Sequence, residues 1–499
     1  MNPEDTHRRQ AIAPALLLTG LILIAIALRF WRLGDWNFQA TEIFTLRDSV
    51  TPQFRNPRPL GYLLTYFLVK PFLPLNEFGL RLLPAIFGVL AIPALYLVGR
   101  RLVGTRAALF GALLLTFSHL HVNYSQLARY WSLVFLLSAI YPYALYIGVR
   151  DRNRGALTLG VVTGALAALA HPVAILLLMG PAVLLAFEVR RIDMRRLWSQ
   201  SSVRWAALVL GVVAAIVAWR FVPILHAWIT DHDKSPGGGE FLHTSFKQGV
   251  KQINYLLGLS EGLTPPVALT GVVGLYLLWR SRDRPLGVFL ASLAVFPFVF
   301  LTLISVRTPV SQYYLVPALP VFFLGAGVFL DRLFQVDWDL RPRWLLPSTI
   351  VLLVLSAGGQ SLASEYLNGR RYDFRAMARW LQPQLAPGDI VFSDQPGVLR
   401  HYLPGTEVQH LRPDSLPLQQ SLRAVREIGP GGGLWIVAPT LGHAFRTDMK
   451  RGGLIGWIYN NCQLKNLTGK GRVDFRQQYL QIHRCPPANV NFSRSTASP

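Results

Sequence analysis

Residues 11–30 read AIAPALLLTGLILIAIALRF, an apolar run whose one charge, Arg29, comes at its end. A helix of about twenty such residues crosses the ~30 Å hydrocarbon core of a bilayer. Ten further stretches of similar character follow at 82–99, 106–121, 130–149, 155–170, 172–188, 205–224, 264–279, 286–305, 312–330 and 344–362. The chain is 52% apolar and holds only 26 acidic residues in 499, which makes it a polytopic, mainly α membrane protein.

The charges between the stretches alternate. Arginine gathers at Arg8 and Arg9; at Arg100, Arg101 and Arg106; at Arg150, Arg152 and Arg154; at Arg190, Arg191, Arg195 and Arg196; at Arg280, Arg282 and Arg284; and at Arg332, Arg341 and Arg343. Short basic loops stay in the cytoplasm, so an odd number of spans, about eleven, predicts an internal N-terminus and an external tail. No small-residue cleavage site follows the first span, which reads as an uncleaved signal anchor. The formal net charge of +23 is largely spent on these loops, where it orients the chain and meets anionic lipid head groups; nucleic acid is not an expected partner.

Both cysteines, Cys462 and Cys485, fall in the external tail, where an oxidising compartment such as the periplasm allows a disulfide. Two domains are expected: a membrane domain over 1–364 and a small extracytoplasmic α/β domain over 365–499. In the tail, an amphipathic helical pattern (Phe374, Met377, Ala378, Trp380, Leu381) alternates with strands at 390–392, 434–437 and 479–482. The glycine run 429–433 precedes a strand, the wrong order for a phosphate-binding loop, and reads as a turn. Residues 57–74 in the first outer loop are apolar, short and bounded by prolines, as in an interfacial helix, while Gly237, Gly238 and Gly239 in the outer loop 225–263 suit a mobile lid or a plain connector.

Polar residues collect where the outer membrane face is expected. The first loop supplies Asp35, Glu42, Asp48, Arg55, Arg58, Lys70 and Arg81; the next outer turn supplies Tyr124, Gln126, Arg129 and Tyr130; His171 lies between two spans, and Arg307 and Tyr313 precede another. Ionisable groups at membrane depth are costly unless they pair or work, so several opening on one face predict a shared cavity. Snorkelling arginines at 81 and 129 and a helix-capping His171 are the structural alternatives.

Three runs carry a resemblance: 77–90 (EFGLRLLPAIFGVL), 95–102 (LYLVGRRL) and 124–133 (YSQLARYWSL). They resemble the bacterial membrane glycosyltransferases of the GT-C superfamily, in the branch of the protein O-mannosyltransferases and aminoarabinose transferases. The resemblance covers roughly 20–190 and weakens later. It implies a GT-C helical bundle, with interfacial helices in the first outer loop, that takes a sugar from a polyprenyl-phosphate carrier at the outer face of the bacterial cytoplasmic membrane. The acceptor is a glycan, a lipid or a protein.

Two positions depart from the family pattern. Its first-loop Asp-Glu pair reads Thr41-Glu42 here, and its Ser-Gln-Glu-Ala-Arg reads Ser125-Gln126-Leu127-Ala128-Arg129. No metal ligand set is therefore assigned, and a divalent cation stays open as a cofactor. Glu42 is the expected catalytic base, with Asp48 behind it. The leaving phosphate is expected to meet Arg81, Arg129 and Arg307, then Arg58 and Lys70; Tyr62, Tyr124, Gln126, Tyr130, His171 and Tyr313 are the substrate-binding candidates. A catalytically silent scaffold and a secondary transporter are the competing readings.

Overall fold

The apolar stretches fold as helices because a backbone in lipid must satisfy its hydrogen bonds within itself. The computed structural model describes residues 3–52, 54, 56, 58–188, 263–281, 283–305, 312–337, 342–368, 372–411, 433–439, 458, 462–468, 472–473, 476–477 and 480–485. The expected span 205–224, the lid glycines 237–239, most of the 429–433 run, Arg55 and Arg307 lie outside these. Among the described residues six helices are long and apolar enough to cross a membrane: Ala13–Phe30, Glu77–Leu102, Trp131–Arg150, Arg284–Leu303, Tyr313–Gln335 and Leu345–Ala363. Shorter apolar helices occupy Thr105–Thr116, Arg154–Ala170, Pro172–Val183 and Pro265–Trp279, so each expected span among the described residues coincides with an apolar helix. The protein is a mainly helical, multi-pass membrane protein with a small sheet in its C-terminal part.

By internal packing the chain forms two units, one of Met1–Leu33 with Asp48–Leu362, the other of Gly34–Arg47 with Ala363–Pro499. In the first, the helix Glu77–Leu102 starts where the Asn76 side chain accepts the Gly79 N–H at 2.9 Å and ends in Arg100 and Arg101. Close approach between the helices Pro265–Trp279 and Leu319–Gln335 depends on glycine: a Cβ on Gly274 would collide with the Gly325 backbone. Small residues at such crossings supply packing where lipid offers no hydrophobic drive.

The expected span 106–121 is in fact two helices, Thr105–Thr116 and His119–Ser125. The break is local chemistry that hydropathy does not register. Ser118 Oγ accepts the His121 N–H at 3.4 Å, and the fully buried Arg29 donates to the Leu115 and Thr116 carbonyls, each at 3.3 Å. The guanidinium thus fills the C-terminal carbonyls that a helix end leaves open, and it also holds His121 Nδ1 at 2.9 Å.

In the second unit a five-stranded sheet has the order β2-β1-β3-β7-β4, with strands β1 (Ile390–Ser393), β2 (Val408–His410), β3 (Leu434–Pro439), β4 (Gln463–Thr468) and β7 (Leu480–Cys485), while β5 (Arg472–Val473) and β6 (Arg476–Gln477) pair with each other. Strand β1 runs parallel to both neighbours, and β7 antiparallel to both of its own. The helices Phe374–Leu381 and Pro396–Tyr402 bury Phe374, Met377, Val398 and Leu399 with Val391, Val437 and Ile482 of the sheet. The Asp389 carboxylate accepts from Trp435 Nε1 at 2.8 Å and from the Ala386 N–H at 3.0 Å, fixing the entry to β1. A disulfide joins Cys462 to Cys485 beside the paired Gln463 and Arg484, which closes the open end of the β4–β7 ladder.

Candidate functional site

In the first unit the expected interfacial segment is a helix over Pro59–Leu64 that widens into a π turn over Thr65–Val69, where the Lys70 N–H reaches the Thr65 carbonyl at 3.0 Å. Its far side leaves Phe67, Leu68 and Phe72 exposed, as a lipid-facing surface would. Its near side is cut back at Gly61. A Cβ there would enter the Tyr130 ring, so the missing side chain is what lets that ring lie against the helix. The Tyr130 hydroxyl then meets Thr65 Oγ1 at 2.7 Å, and the Tyr62 ring stands edge-on to Tyr130 at 5.4 Å.

This packing forms one wall of a pocket lined by Arg58, Tyr62, Arg129, Tyr130, Trp131, Val134, Ala170 and His171. Arg58 and Arg129 are among its lining, and no carboxylate is among the described residues that line it. Trp131 joins the walls, with its ring 4.6 Å from His171, 4.9 Å from Tyr313 and 6.1 Å from Tyr314. Five of the residues singled out in the sequence (Arg58, Tyr62, Arg129, Tyr130 and His171) thus share one pocket, with Tyr313 in contact through Trp131.

His171 has a fixed tautomer. It ends the helix Arg154–Ala170, and its Nδ1 accepts the Val173 N–H at 3.1 Å. An accepting Nδ1 requires a neutral ring with its proton on Nε2. That Nε2 is buried without a hydrogen-bond partner among the described residues, on a side chain only 7% exposed that lines the pocket. A buried donor left open costs ~1–3 kcal/mol, which a ligand acceptor in the pocket would recover. The capping role and a ligand role are therefore compatible, each using a different nitrogen.

The other candidates are not among the residues that line this pocket. Arg81 is fully buried and donates to the Leu33 carbonyl at 3.1 Å. Gln126 turns its amide onto the carbonyls of Leu28 at 3.1 Å and Trp31 at 3.2 Å, closing the end of the first span. Lys70 is exposed, with Nζ 4.7 Å over the Tyr66 ring and bonded to the Val50 carbonyl. Tyr124 packs its ring 6.4 Å from Trp131. Asp48 accepts from Asn56 Nδ2 at 3.4 Å, and Asn56 Oδ1 accepts the Arg58 N–H at 2.9 Å, so this carboxylate braces the loop that carries Arg58. Glu42 belongs to the second unit; it is fully buried in the first turn of the helix Ala40–Val50, and its Oε2 accepts the Gln39 N–H at 2.9 Å.

Sequence reasoning overlooked Trp131 and Arg29. The signal for Arg29 was present, as a lone charge inside an apolar span; Trp131 carried none beyond adjacency to Tyr130. The positions where the family pattern implies a second and third acid hold an exposed Thr41 and a buried Leu127, and among the described residues no three His, Cys, Asp or Glu side chains gather. Neither Thr41 nor Leu127 supplies a carboxylate to a two-carboxylate metal site.

Residues 57–221 match the family model described as dolichyl-phosphate-mannose-protein mannosyltransferase. No curated protein matches the sequence. Among solved structures, ArnT from Cupriavidus metallidurans in the apo state is 15% identical with a TM-score of 0.53, over 95% of this chain and 98% of that one. The same protein bound to undecaprenyl phosphate is 15% identical with a TM-score of 0.53, over 93% and 97%. The oligosaccharyltransferase AglB from Archaeoglobus fulgidus, in complex with an inhibitory peptide and a dolichol-phosphate, is 12% identical with a TM-score of 0.55, over 87% and 70%.

Proposed function

We propose that this chain, whose fold is that of the GT-C membrane glycosyltransferases, transfers a sugar from a polyprenyl-phosphate carrier to an acceptor at the outer face of the bacterial cytoplasmic membrane. The observation that carries this reading is the pocket lined by Arg58, Arg129 and His171, whose Nε2–H has no partner among the described residues, beside Trp131. Two forked cations and a neutral donor suit a phosphate, and aromatic faces suit a prenyl chain or a pyranose. The solved relative with undecaprenyl phosphate supports the same ligand class.

In the proposed reaction the acceptor hydroxyl attacks the anomeric carbon while the bond from that carbon to the phosphate oxygen breaks, inverting the centre. Polyprenyl phosphate leaves with the electron pair, its charge met by Arg58 and Arg129, and Glu42 takes the acceptor proton. Tyr62, Tyr130 and Tyr313 stack on the donor; Arg81, Lys70, Arg307, Asp48, Tyr124 and Gln126 serve in support. No step runs through a metal. Residues 1–364 form the membrane domain and 365–499 the extracytoplasmic one, an orientation that the alternating arginines and the Cys462–Cys485 bond support.

Full-length protein in lipid nanodiscs, given polyprenyl-phosphate mannose and a cell-envelope extract as acceptor, is expected to release polyprenyl phosphate. Release of none, with binding intact, would favour the silent-scaffold reading that Thr41 and Leu127 suggest. Solute counterflow in liposomes would favour transport.

His171 offers a separate test. In His171→Asn the side-chain oxygen can still accept the Val173 N–H, but nothing reaches the position of Nε2. Donor KM is expected to rise ten- to a hundredfold, about the value of a hydrogen bond to a charged group, while the melting temperature holds. An unchanged KM in a folded variant would confine His171 to its capping role.

A further inference from the structure

The second unit contains a segment from far away in sequence, residues 34–47 of the first outer loop. Its contacts are specific. The Asn37 side chain, only 8% exposed, meets the N-terminus of the helix Phe374–Leu381 with both of its atoms: Nδ2 donates to Asp373 Oδ1 at 3.1 Å, and Oδ1 accepts the Arg375 N–H at 3.2 Å. Asp373 is itself the N-cap of that helix, accepting the Ala376 N–H at 2.9 Å. One carboxylate oxygen thus serves the cap and the loop together, and Asn37 fills a first-turn donor that the helix leaves open.

The next residue is held by the neighbouring helix. The Phe38 N–H donates to the Tyr402 hydroxyl at 2.9 Å, and the Phe38 ring, 1% exposed, stands 5.2 Å from His401. The Arg375 guanidinium lies 5.9 Å over the Tyr402 ring, steadying that tyrosine from the helix Asn37 engages. Beyond Glu42, Ile43 packs against the hydrophobic core of this unit, with its Cγ2 3.5 Å from where a Cβ on Gly397 would sit. Glu42 therefore lies between anchored residues on both sides, its carboxylate turned back on the Gln39 N–H.

We infer that the C-terminal unit sets the position of Glu42, with Asn37, Asp373 and Tyr402 as positioning residues. This rests on the reading of Glu42 as the base. A general base works only within hydrogen-bond reach of its proton, and a displacement of ~1 Å costs up to about a hundredfold in rate. The helix containing Glu42 is short and begins in a loop, so it cannot hold that tolerance by itself. Contacts supplied by a folded sheet domain can.

The test uses the full-length protein in nanodiscs with polyprenyl-phosphate mannose and the same extract. Asn37→Ala, Asp373→Ala and Tyr402→Phe are each expected to lower kcat roughly ten- to a hundredfold with donor KM and undecaprenyl phosphate affinity unchanged. Amide hydrogen exchange over residues 38–47 is expected to accelerate in the same variants. Asp373→Asn is expected to restore kcat, since its amide oxygen accepts both bonds that the carboxylate oxygen does. Tyr402→Phe removes a single hydroxyl and guards against a folding defect in the cap variants. Unchanged exchange, or faster exchange with kcat intact while Glu42→Gln is inactive, overturns the inference. Full turnover in Glu42→Gln removes the premise instead, and the exchange data then still report whether this unit anchors the loop.

Discussion

Glu42→Gln is expected to lower turnover by about 10²–10⁴, the range that general-base catalysis contributes, with thermal stability and undecaprenyl phosphate affinity held. The substitution is selective because of what the wild-type side chain does in the fold. Glu42 occupies the first turn of the helix Ala40–Val50 and returns a hydrogen bond to the Gln39 N–H at 2.9 Å, the half of a capping box that glutamate and glutamine perform equally. Glutamine thus keeps the cap and loses the carboxylate that would accept the proton. Release of polyprenyl phosphate and the melting temperature, measured on the same preparation, separate chemistry from folding. Turnover within threefold of wild type would take Glu42 out of the reaction. It would also point to an acceptor that arrives already ionised, such as a phosphate, for which no base is required.

The membrane architecture was legible because its signal is strong and local. Hydropathy is read within single stretches of about twenty residues, and burial in lipid leaves the backbone one choice. The tail's helix at Phe374–Leu381 and its strands at 390 and 434 were legible for the same reason, through periodicity. What escaped depends on partners distant in the chain. The break after Thr116 is bound up with Arg29, the first loop's attachment to the tail with Asn37 and Asp373, and the tautomer of His171 with the backbone of Val173.

The site divides along the same line. Residue types expected at one membrane face were readable, and five of them do line one pocket. Their individual duties were not. Gln126 and Arg81 sit among the candidates by chemistry and depth, yet both donate to backbone carbonyls near the end of the first span. A polar side chain in a membrane protein has two ways to offset its burial, a helix end or a ligand, and sequence does not distinguish them.

That distinction gives the pocket arginines their predicted weight. Arg58 and Arg129 line a pocket with no carboxylate among its described lining, together with a histidine already committed as a neutral donor. A phosphate bound there would accept charge-assisted hydrogen bonds in a setting that water screens poorly, each contributing about 1.5–3 kcal/mol. Replacing either arginine by glutamine is therefore expected to weaken undecaprenyl phosphate binding by about ten- to a hundredfold. The double variant is expected to weaken it by roughly 10²–10⁴, the product of the single losses. Lysine at either position keeps the charge without the fork and should restore only part of the loss. Titration of nanodisc-embedded protein with undecaprenyl phosphate, beside an uncharged polyprenol, reads the phosphate contribution directly. Wild-type affinity in the folded double variant, or equal affinity for the polyprenol, would exclude the pocket as the seat of the phosphate. Loss of phosphate affinity with polyprenol binding intact would tie these two guanidinium groups to the head group alone, leaving the prenyl chain to the apolar surfaces around them.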